Sequence, residues 1–228
     1  AQVLLEPAMR NTAPCILYAS LKIKKQNPDA VMVVAPSDHW IEDENAFAAD
    51  LQKCFDYCAS HDALLTLGIK PTFPNTGFGY IEFDKTKNAQ IGETTEVLQF
   101  REKPNLETAE LFVKSGNFYW NSGIFVWKST TILNALETYQ KDLFDLFCAD
   151  LKHYNTAGEQ QFIDDAFTAC QDISIDYAVM EKANNVDVVL ASFDWSDLGT
   201  WKSLYEHCDK DIYNNSIIGE NVHTFNVK

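Results

Sequence analysis

The chain has 228 residues, 46% hydrophobic and 13% aromatic, enough for a sizeable core in one large domain or one domain with an appendage, and too apolar for a disordered chain. Acids outnumber Lys plus Arg by 33 to 18, a formal net charge of −15. That balance excludes the clustered positive surface of a nucleic-acid-coating protein, while a small anionic ligand needs only a few local bases.

In chain order, "NTAPCILYASLKIKKQNP" reads as a helix with Pro14 near its start and Asn27-Pro28 at its end. "VMVV" (Val31 to Val34) is a buried-strand run ending in the turn "APSDHW". Phe47, Leu51, Cys54, Phe55 and Cys58 then repeat at helical spacing, and "ALLTLGI" is a second apolar strand. Strand, helix, strand is the pattern of a βαβ unit, so the expected fold is α/β: a Rossmann-like, mostly parallel sheet flanked by helices. Next, "GYIEF" and "TEVLQF" read as strands, "LETAELFVKSG" as a helix closed by Gly116, and "GIFVW" as a strand. "STTILNALETY" is a helix that Ser129 could cap, and "KDLFDLF", "QQFIDDAFTAC" and "SIDYAVMEKA" continue as helix. "VDVVLASF" is a strand, "TWKSLYEHC" a helix, and the tail "NNSIIGENVHTFNVK" alternates like a β segment. There is no internal repeat and no low-complexity linker.

No apolar run approaches membrane-spanning length and no signal peptide is visible, so no membrane partner is expected. The six cysteines are irregularly spaced and contain no CxxC; they read as small buried hydrophobes, reduced as in a cytoplasmic protein. The chain opens in "AQVLLEPAMR" without methionine, so further N-terminal residues are expected to precede it.

Five segments carry residues with chemistry. Asp38 and His39 follow a buried strand, where open α/β sheets bind ligands, and aspartate oxygens suit Mg²⁺; Ser37 and Asp38 also fit a helix-capping pair. Glu102 and Lys103 in "FREKPN" could accept from sugar hydroxyls and bind a phosphate, or form a surface ion pair. Asn121 and Gly123 in "YWNSGIF" offer a donor, an acceptor and room for a ligand, or simply a turn. Asp176 and Lys182 flank a helical stretch and could be an ionic pair. Asp197 in "FDWSDLGTW" follows the last strand between Trp195 and Trp201. Asp38 and Asp197 could together hold one Mg²⁺ against a triphosphate in a pocket shaped by the tryptophans, but spacing alone does not show that they meet.

Seven motifs run in order through the chain: "EPAMRNTAP", "APSDHWI", "TGFGYIEF", "FREKP", "YWNSGIFVW", "SIDYAVMEK" and "WSDLGTW". Together they resemble the mannose-1-phosphate guanylyltransferases (GDP-mannose pyrophosphorylases) of the sugar-nucleotidyltransferase superfamily. The resemblance implies formation of GDP-mannose and pyrophosphate from GTP and mannose 1-phosphate with Mg²⁺ as cofactor. It implies that Asp38 and Asp197 bind the metal, that Glu102 contacts mannose hydroxyls, and that Lys103 contacts the sugar phosphate. It places Asn121 and the backbone near Gly79 at the sugar, Glu6, Asn11 and Thr12 at the guanine, and Asp176 and Lys182 among the substrate-binding residues.

The family's glycine-rich loop, GGxGTRLWPLSR, and its PKQ segment are absent from these residues. Residues 1–208 are therefore expected to be a nucleotidyltransferase domain lacking that loop, and inactive when isolated. Residues 209–228 are expected to start a C-terminal β-helical extension. Two other readings stay open: a thymidylyl- or uridylyltransferase, and a non-catalytic nucleotide-sugar binding or regulatory subunit. A homo-oligomer is also left open.

Overall fold

Hydrophobic periodicity places most elements where the sequence predicts them. The structure, a computed structural model, describes residues 3–225; residues 1, 2 and 226–228, which belong to the two expected domains, lie outside the described residues. The helices are α1 (Thr12–Gln26), α2 (Glu44–Ser60), α3 (Leu106–Ser115), α4 (Ser129–Tyr139), α5 (Lys141–Cys148), α6 (Glu159–Ala169) and α7 (Trp201–His207). The strands are β1 (Val31–Val34), β2 (Trp40–Ile41), β3 (Leu64–Ile69), β4 (Tyr80–Phe83), β5 (Thr94–Arg101), β6 (Phe118–Lys128), β7 (Val186–Leu190) and β8 (Trp195–Ser196).

Local chemistry explains the helix ends. Asn11, Asp43, Asn105 and Thr200 each accept a backbone N–H of their own first turn, satisfying donors that the helix leaves free. Gly116 ends α3 in the left-handed conformation, φ 69°. Ser129 is not a cap: it is the first residue of α4, and its buried hydroxyl has no hydrogen-bond partner among the described residues.

The main sheet corrects the expectation of mostly parallel strands. Its six strands run in the order β1-β6-β3-β7-β5-β4, and of the described pairings only β3 with β7 is parallel. The reason is β6, an 11-residue strand that lies antiparallel between β1 and β3 and pairs through its first half with β4. β1, β3, β4 and β7 still point the same way, because each is antiparallel to β6 or parallel to a strand that is. Apolar runs report burial on both faces but carry no information about strand direction.

Alternation along β6 divides the core. Tyr119, Phe125 and Trp127 pack on one face with α1, α4, α5 and α6, while Phe118, Trp120, Ile124 and Val126 pack on the other with α2 and α3. Cys54 and Cys58 are fully buried in the second layer, and all six cysteines are free. "SIDYAVMEK" forms a π-helical turn, Asp176–Met180, in place of the expected α-helix. Residues 209–225 contain turns and no strand, so the expected β-helical start is not seen among the described residues. An extended segment needs a partner strand to satisfy its backbone, and none pairs with it here. No helix among the described residues is long and apolar enough to cross a membrane.

A buried ion pair ties α1 to α6. Glu159 accepts from Lys22 Nζ (2.5 Å), the Tyr18 hydroxyl (2.5 Å) and the Asn155 N–H (2.5 Å), and the Lys22 and Glu159 side chains are only 14% and 10% exposed. Burial acts to raise the Glu159 carboxyl, but these donors outweigh it and hold the group below its ordinary 4.5. Lys22→Met in the full-length protein should cost about 3 kcal/mol, because it leaves a buried charge without its cation. Lys22→Met with Glu159→Gln should cost less than Lys22→Met alone. Since the folded-state value is depressed, the contribution of Glu159 is present above pH 4.5 and is lost as pH falls through the lower folded value. Denaturant unfolding of the variants at neutral and acidic pH checks both expectations; equal loss in the single and double variants would remove the buried-pair account.

Candidate active site

Register brings three distant segments to one point. Trp120 of β6 pairs with both Ile69 at the end of β3 and Tyr80 at the start of β4, and Tyr80 faces Arg101 at the end of β5. The residues next to these, Gly79, Glu102 and Asn121, are therefore neighbours. The Asn121 N–H donates to the Gly79 carbonyl at 2.8 Å. A Cβ on Gly79 would displace the Glu102 carboxylate from its present position and touch Asn121 Cβ at 3.4 Å, so glycine here leaves room for the carboxylate.

Asn121 is held on both sides of its amide. Its Nδ2 donates to Asp176 Oδ1 at 2.9 Å, and its Oδ1 accepts from Thr66 Oγ1 (3.2 Å) and the Gly123 N–H (3.1 Å). "WNSG" is not a turn before a strand but part of β6, at a bulge: Thr66 pairs with Phe125, and Gly68 already with Asn121. Gly123 supplies φ 71° there.

The cluster is rich in carboxylates. Burial, reinforced by the Asp176 charge, pushes the Glu102 carboxyl above its ordinary value, with Lys103 opposing. Burial likewise raises Asp176, against hydrogen bonds from its own N–H, Asn121 and Ser174. Lys103 Nζ lies 3.5 Å from Glu102 Oε1, with most of its side chain in solvent. Glu181, in the same motif as Asp176, also joins the cluster; burial and Asp176 raise it. Sequence reading singled out its neighbours Asp176 and Lys182 and passed over Glu181, although the "EK" of that motif marks it. Lys182 itself is exposed, and its ammonium makes no hydrogen bond or ion pair among the described residues.

A second centre forms where β2 and β8 pair antiparallel, Trp40 with Ser196 and Ile41 with Trp195. Asp38 lies two residues before Trp40 and Asp197 directly after Ser196, so this ladder brings the two aspartates to the same end. His39 senses both: burial lowers its imidazole, and Asp38 and Asp197 pull it back up. Trp195 Nε1 donates to His39 Nδ1 at 3.1 Å, which leaves the neutral ring its proton on Nε2. Asp197 Oδ1 accepts the Gly199 N–H at 3.0 Å, and a Cβ on Gly199 would come within 2.5 Å of Asp197 Oδ2.

Aromatic rings join the two centres. Trp120 packs edge-on against Phe78 (5.1 Å), Phe78 against Trp195 (5.3 Å), and Trp195 against His39 (5.2 Å). A cavity of about 790 Å³ opens along this wall, lined by Phe73, Phe78, Trp120, Trp195, Asp197 and Gly199 among others. Trp201, expected to shape the pocket with Trp195, does not: it begins α7 on the solvent side and is 87% exposed.

Glu6, Asn11 and Thr12 lie on the segment that enters α1, and Thr12 reaches the turn beside the first centre. Burial, with the nearby Glu6 carboxylate adding to it, pushes the Cys15 thiol up to about 12, while Glu6 itself is exposed. Asn11 caps α1 at φ 63°, and Thr12 Oγ1 accepts the Ile175 N–H at 2.8 Å, tying α1 to the turn that carries Asp176. Backbone strain marks the centres independently. Of the non-glycine residues with positive φ among those described, all are Asn except Lys103 (φ 45°) and Leu198 (φ 48°). Asn tolerates that region, whereas Lys and Leu hold it only where the surroundings impose it, as they often do at functional sites.

The chain is 41% identical over 210 residues to a mannose-1-phosphate guanylyltransferase of Escherichia coli K12, covering 90% of this chain and 43% of that protein. It is 37% identical over 221 residues to the alginate biosynthesis protein AlgA of Pseudomonas fluorescens, covering 96% and 45%. The chain thus spans under half the length of the curated relatives it matches. Among solved structures, it resembles a mannose-1-phosphate geranyltransferase, so named, from Thermus thermophilus (TM-score 0.78, 28% identity, 90% of this chain and 57% of that one). It also resembles a mannose-6-phosphate isomerase from Helicobacter pylori (TM-score 0.71, 29% identity, 84% and 73%). Residues 1–213 match the nucleotidyl transferase family, a span that includes every element from α1 to α7 and both centres, and the chain belongs to that family.

Proposed function

We propose that the full-length protein forms GDP-mannose and pyrophosphate from GTP and mannose 1-phosphate. The observation that supports this reading is the β2–β8 register, which puts Asp38 and Asp197 at the same end of one short ladder, joined by packed aromatic rings to the side of the Gly79, Glu102 and Asn121 cluster. The relatives named mannose-1-phosphate guanylyltransferase support the choice of substrates.

The donor set fits Mg²⁺. Asp38 and Asp197 offer hard oxygens, while His39 Nδ1 is taken by Trp195, and no group of three or more His, Cys, Asp or Glu suited to a metal occurs among the described residues. Mg²⁺ needs only one or two carboxylates and completes its shell with water and substrate phosphates, whereas a zinc site uses three or four protein ligands. When bound, Mg²⁺ would offset phosphate charge and help orient the triphosphate.

The remaining steps belong to the chain's residues. In this reading Glu102 accepts hydrogen bonds from mannose hydroxyls, and Gly79 lets the sugar approach the backbone. Asn121, its amide fixed by Asp176 and Thr66, holds the floor of the sugar site. Lys103 faces the sugar phosphate. A phosphate oxygen attacks the α-phosphorus of GTP, a P–O bond forms, the bond to the β-phosphate oxygen breaks, and pyrophosphate leaves. The nucleophile is already an anion, so no general base is required; positioning and charge neutralisation supply the rate. Glu6, Asn11 and Thr12 are assigned to the guanine side and Lys182 to the substrate rim on the strength of the motif resemblance. A cytoplasmic location accords with six free cysteines.

Lys103→Ala in the full-length protein should weaken mannose 1-phosphate by about 2 kcal/mol, the size of one charge-assisted contact, with GTP binding nearly unchanged. Separate titrations with the two substrates decide it; a larger loss for GTP would put Lys103 on the other substrate. Asp38→Asn and Asp197→Asn should each nearly abolish GDP-mannose formation, and the double variant should be little worse than either, because groups sharing one ion act as a unit. If each acid only supports its own loop, the two effects multiply and the Mg²⁺ dependence stays unchanged. Rates across a Mg²⁺ titration, with UTP and dTTP compared against GTP, test both the metal and the base.

A further inference from the structure

We infer that Asp50, a residue outside both centres, is a positioning residue that holds the Asp197 segment in register with Asp38. This rests on the reading of Asp38 and Asp197 as a shared Mg²⁺ site.

Asp50 lies in the middle of α2 and has 0% exposure. A buried carboxylate is costly unless its oxygens are satisfied. Its Oδ1 is 3.1 Å from Lys53 Nζ, one turn along the same helix. Its Oδ2 accepts from both the Ser192 N–H (2.7 Å) and the Ser192 hydroxyl (2.8 Å). Hydrogen bonds to an ionised acceptor are short and strong, and this pair spans 142 residues of chain.

The location of that clamp gives it a function. Ser192 follows β7 and precedes Trp195, Ser196 and Asp197. The next residue, Phe193, is buried and packs edge-on at 5.1 Å against Phe47, one turn before Asp50 on the same face of α2. α2 itself starts at Glu44, directly after β2 and the loop that carries Asp38. One rigid helix is thus joined covalently to the Asp38 side and clamped at two points to the Asp197 side. The β2–β8 ladder that unites the aspartates is only two residue pairs long. So short a ladder cannot hold its register unaided, and Leu198 beyond it is strained at φ 48°. Asp50 and Phe47 supply the missing constraint, and Asp50 does so through the backbone of the segment that it positions.

The test uses the full-length protein and Mn²⁺, which carboxylate sites accept in place of Mg²⁺. Free Mn²⁺ is followed by electron paramagnetic resonance without nucleotide, and amide hydrogen exchange is followed across residues 191–199. Asp50→Ala should weaken Mn²⁺ by about tenfold, the loss typical when a residue supporting a metal ligand is removed. It should also speed exchange at 191–199 while leaving β1 and β3 protected. Asp50→Asn keeps the shape and an acceptor for Ser192, so it should restore most of the affinity and protection; if the alanine variant does not fold, Ser192→Ala, which removes the hydroxyl bond alone, carries the test, with weaker Mn²⁺ binding and faster exchange at 191–199 expected and unchanged values overturning the role. A uniform loss of exchange protection with unchanged Mn²⁺ affinity in the Asp50 variants, while Asp38→Asn and Asp197→Asn lose the ion, would overturn the positioning role alone. Unchanged Mn²⁺ affinity in Asp38→Asn and Asp197→Asn would overturn the metal reading, and the inference with it.

Discussion

The antiparallel insertion of β6 is the constraint on which the rest of the structure depends. This strand pairs with β1, β3 and β4, and its alternating aromatic residues build both core layers. Its bulge around Asn121 and Gly123 is what turns the Asn121 amide toward Asp176 and Thr66. Because strand pairing is exact in its period of two, a shift of one residue would move every aromatic side chain to the opposite face. The same register that fills the core therefore also sets Gly79, Glu102 and Asn121 side by side.

Charge is the second organising feature. A chain with net charge −15 gathers Glu102, Asp176 and Glu181 at one place and Asp38 and Asp197 at another. Burial raises all three of Glu102, Asp176 and Glu181, and the Asp176 charge adds to the rise at Glu102 and Glu181. Lys103 is the cation nearest Glu102, on a backbone held at positive φ, and Arg101 and Lys182 act on Glu181. Such an arrangement costs stability unless cations or hydrogen-bonding groups complete it.

The tertiary structure also distributes rigidity unevenly. Around Asp176, a π-helical turn replaces the α-helix, and Thr12 anchors it from α1. π-turns carry poorer hydrogen bonds and recur at functional sites. Around Asp197, an Asx-type bond to Gly199 and a strained Leu198 fix the loop after a very short strand. In both places, distant buried contacts compensate for weak local structure.

The sequence by itself determined the helices and strands, most of their ends, and the motifs that hold Asp38, Gly79, Glu102, Asn121 and Asp197. Periodicity is a local property and marked the helices, but the cap read from sequence, Ser129, lies inside α4, and the structure assigned the capping of α1, α2 and α3 to Asn11, Asp43 and Asn105. Only the tertiary structure decided that β6 runs antiparallel, that "WNSG" lies in a strand, that Trp201 faces water while Trp195 lines the cavity, and that Glu181 joins the acid cluster. It also decided that Asp197 lies at the same end of the β2–β8 ladder as Asp38, about 160 residues earlier in the chain. Strand direction, register and the meeting of distant side chains depend on contacts between segments far apart, and the pattern within any one segment contains no record of them.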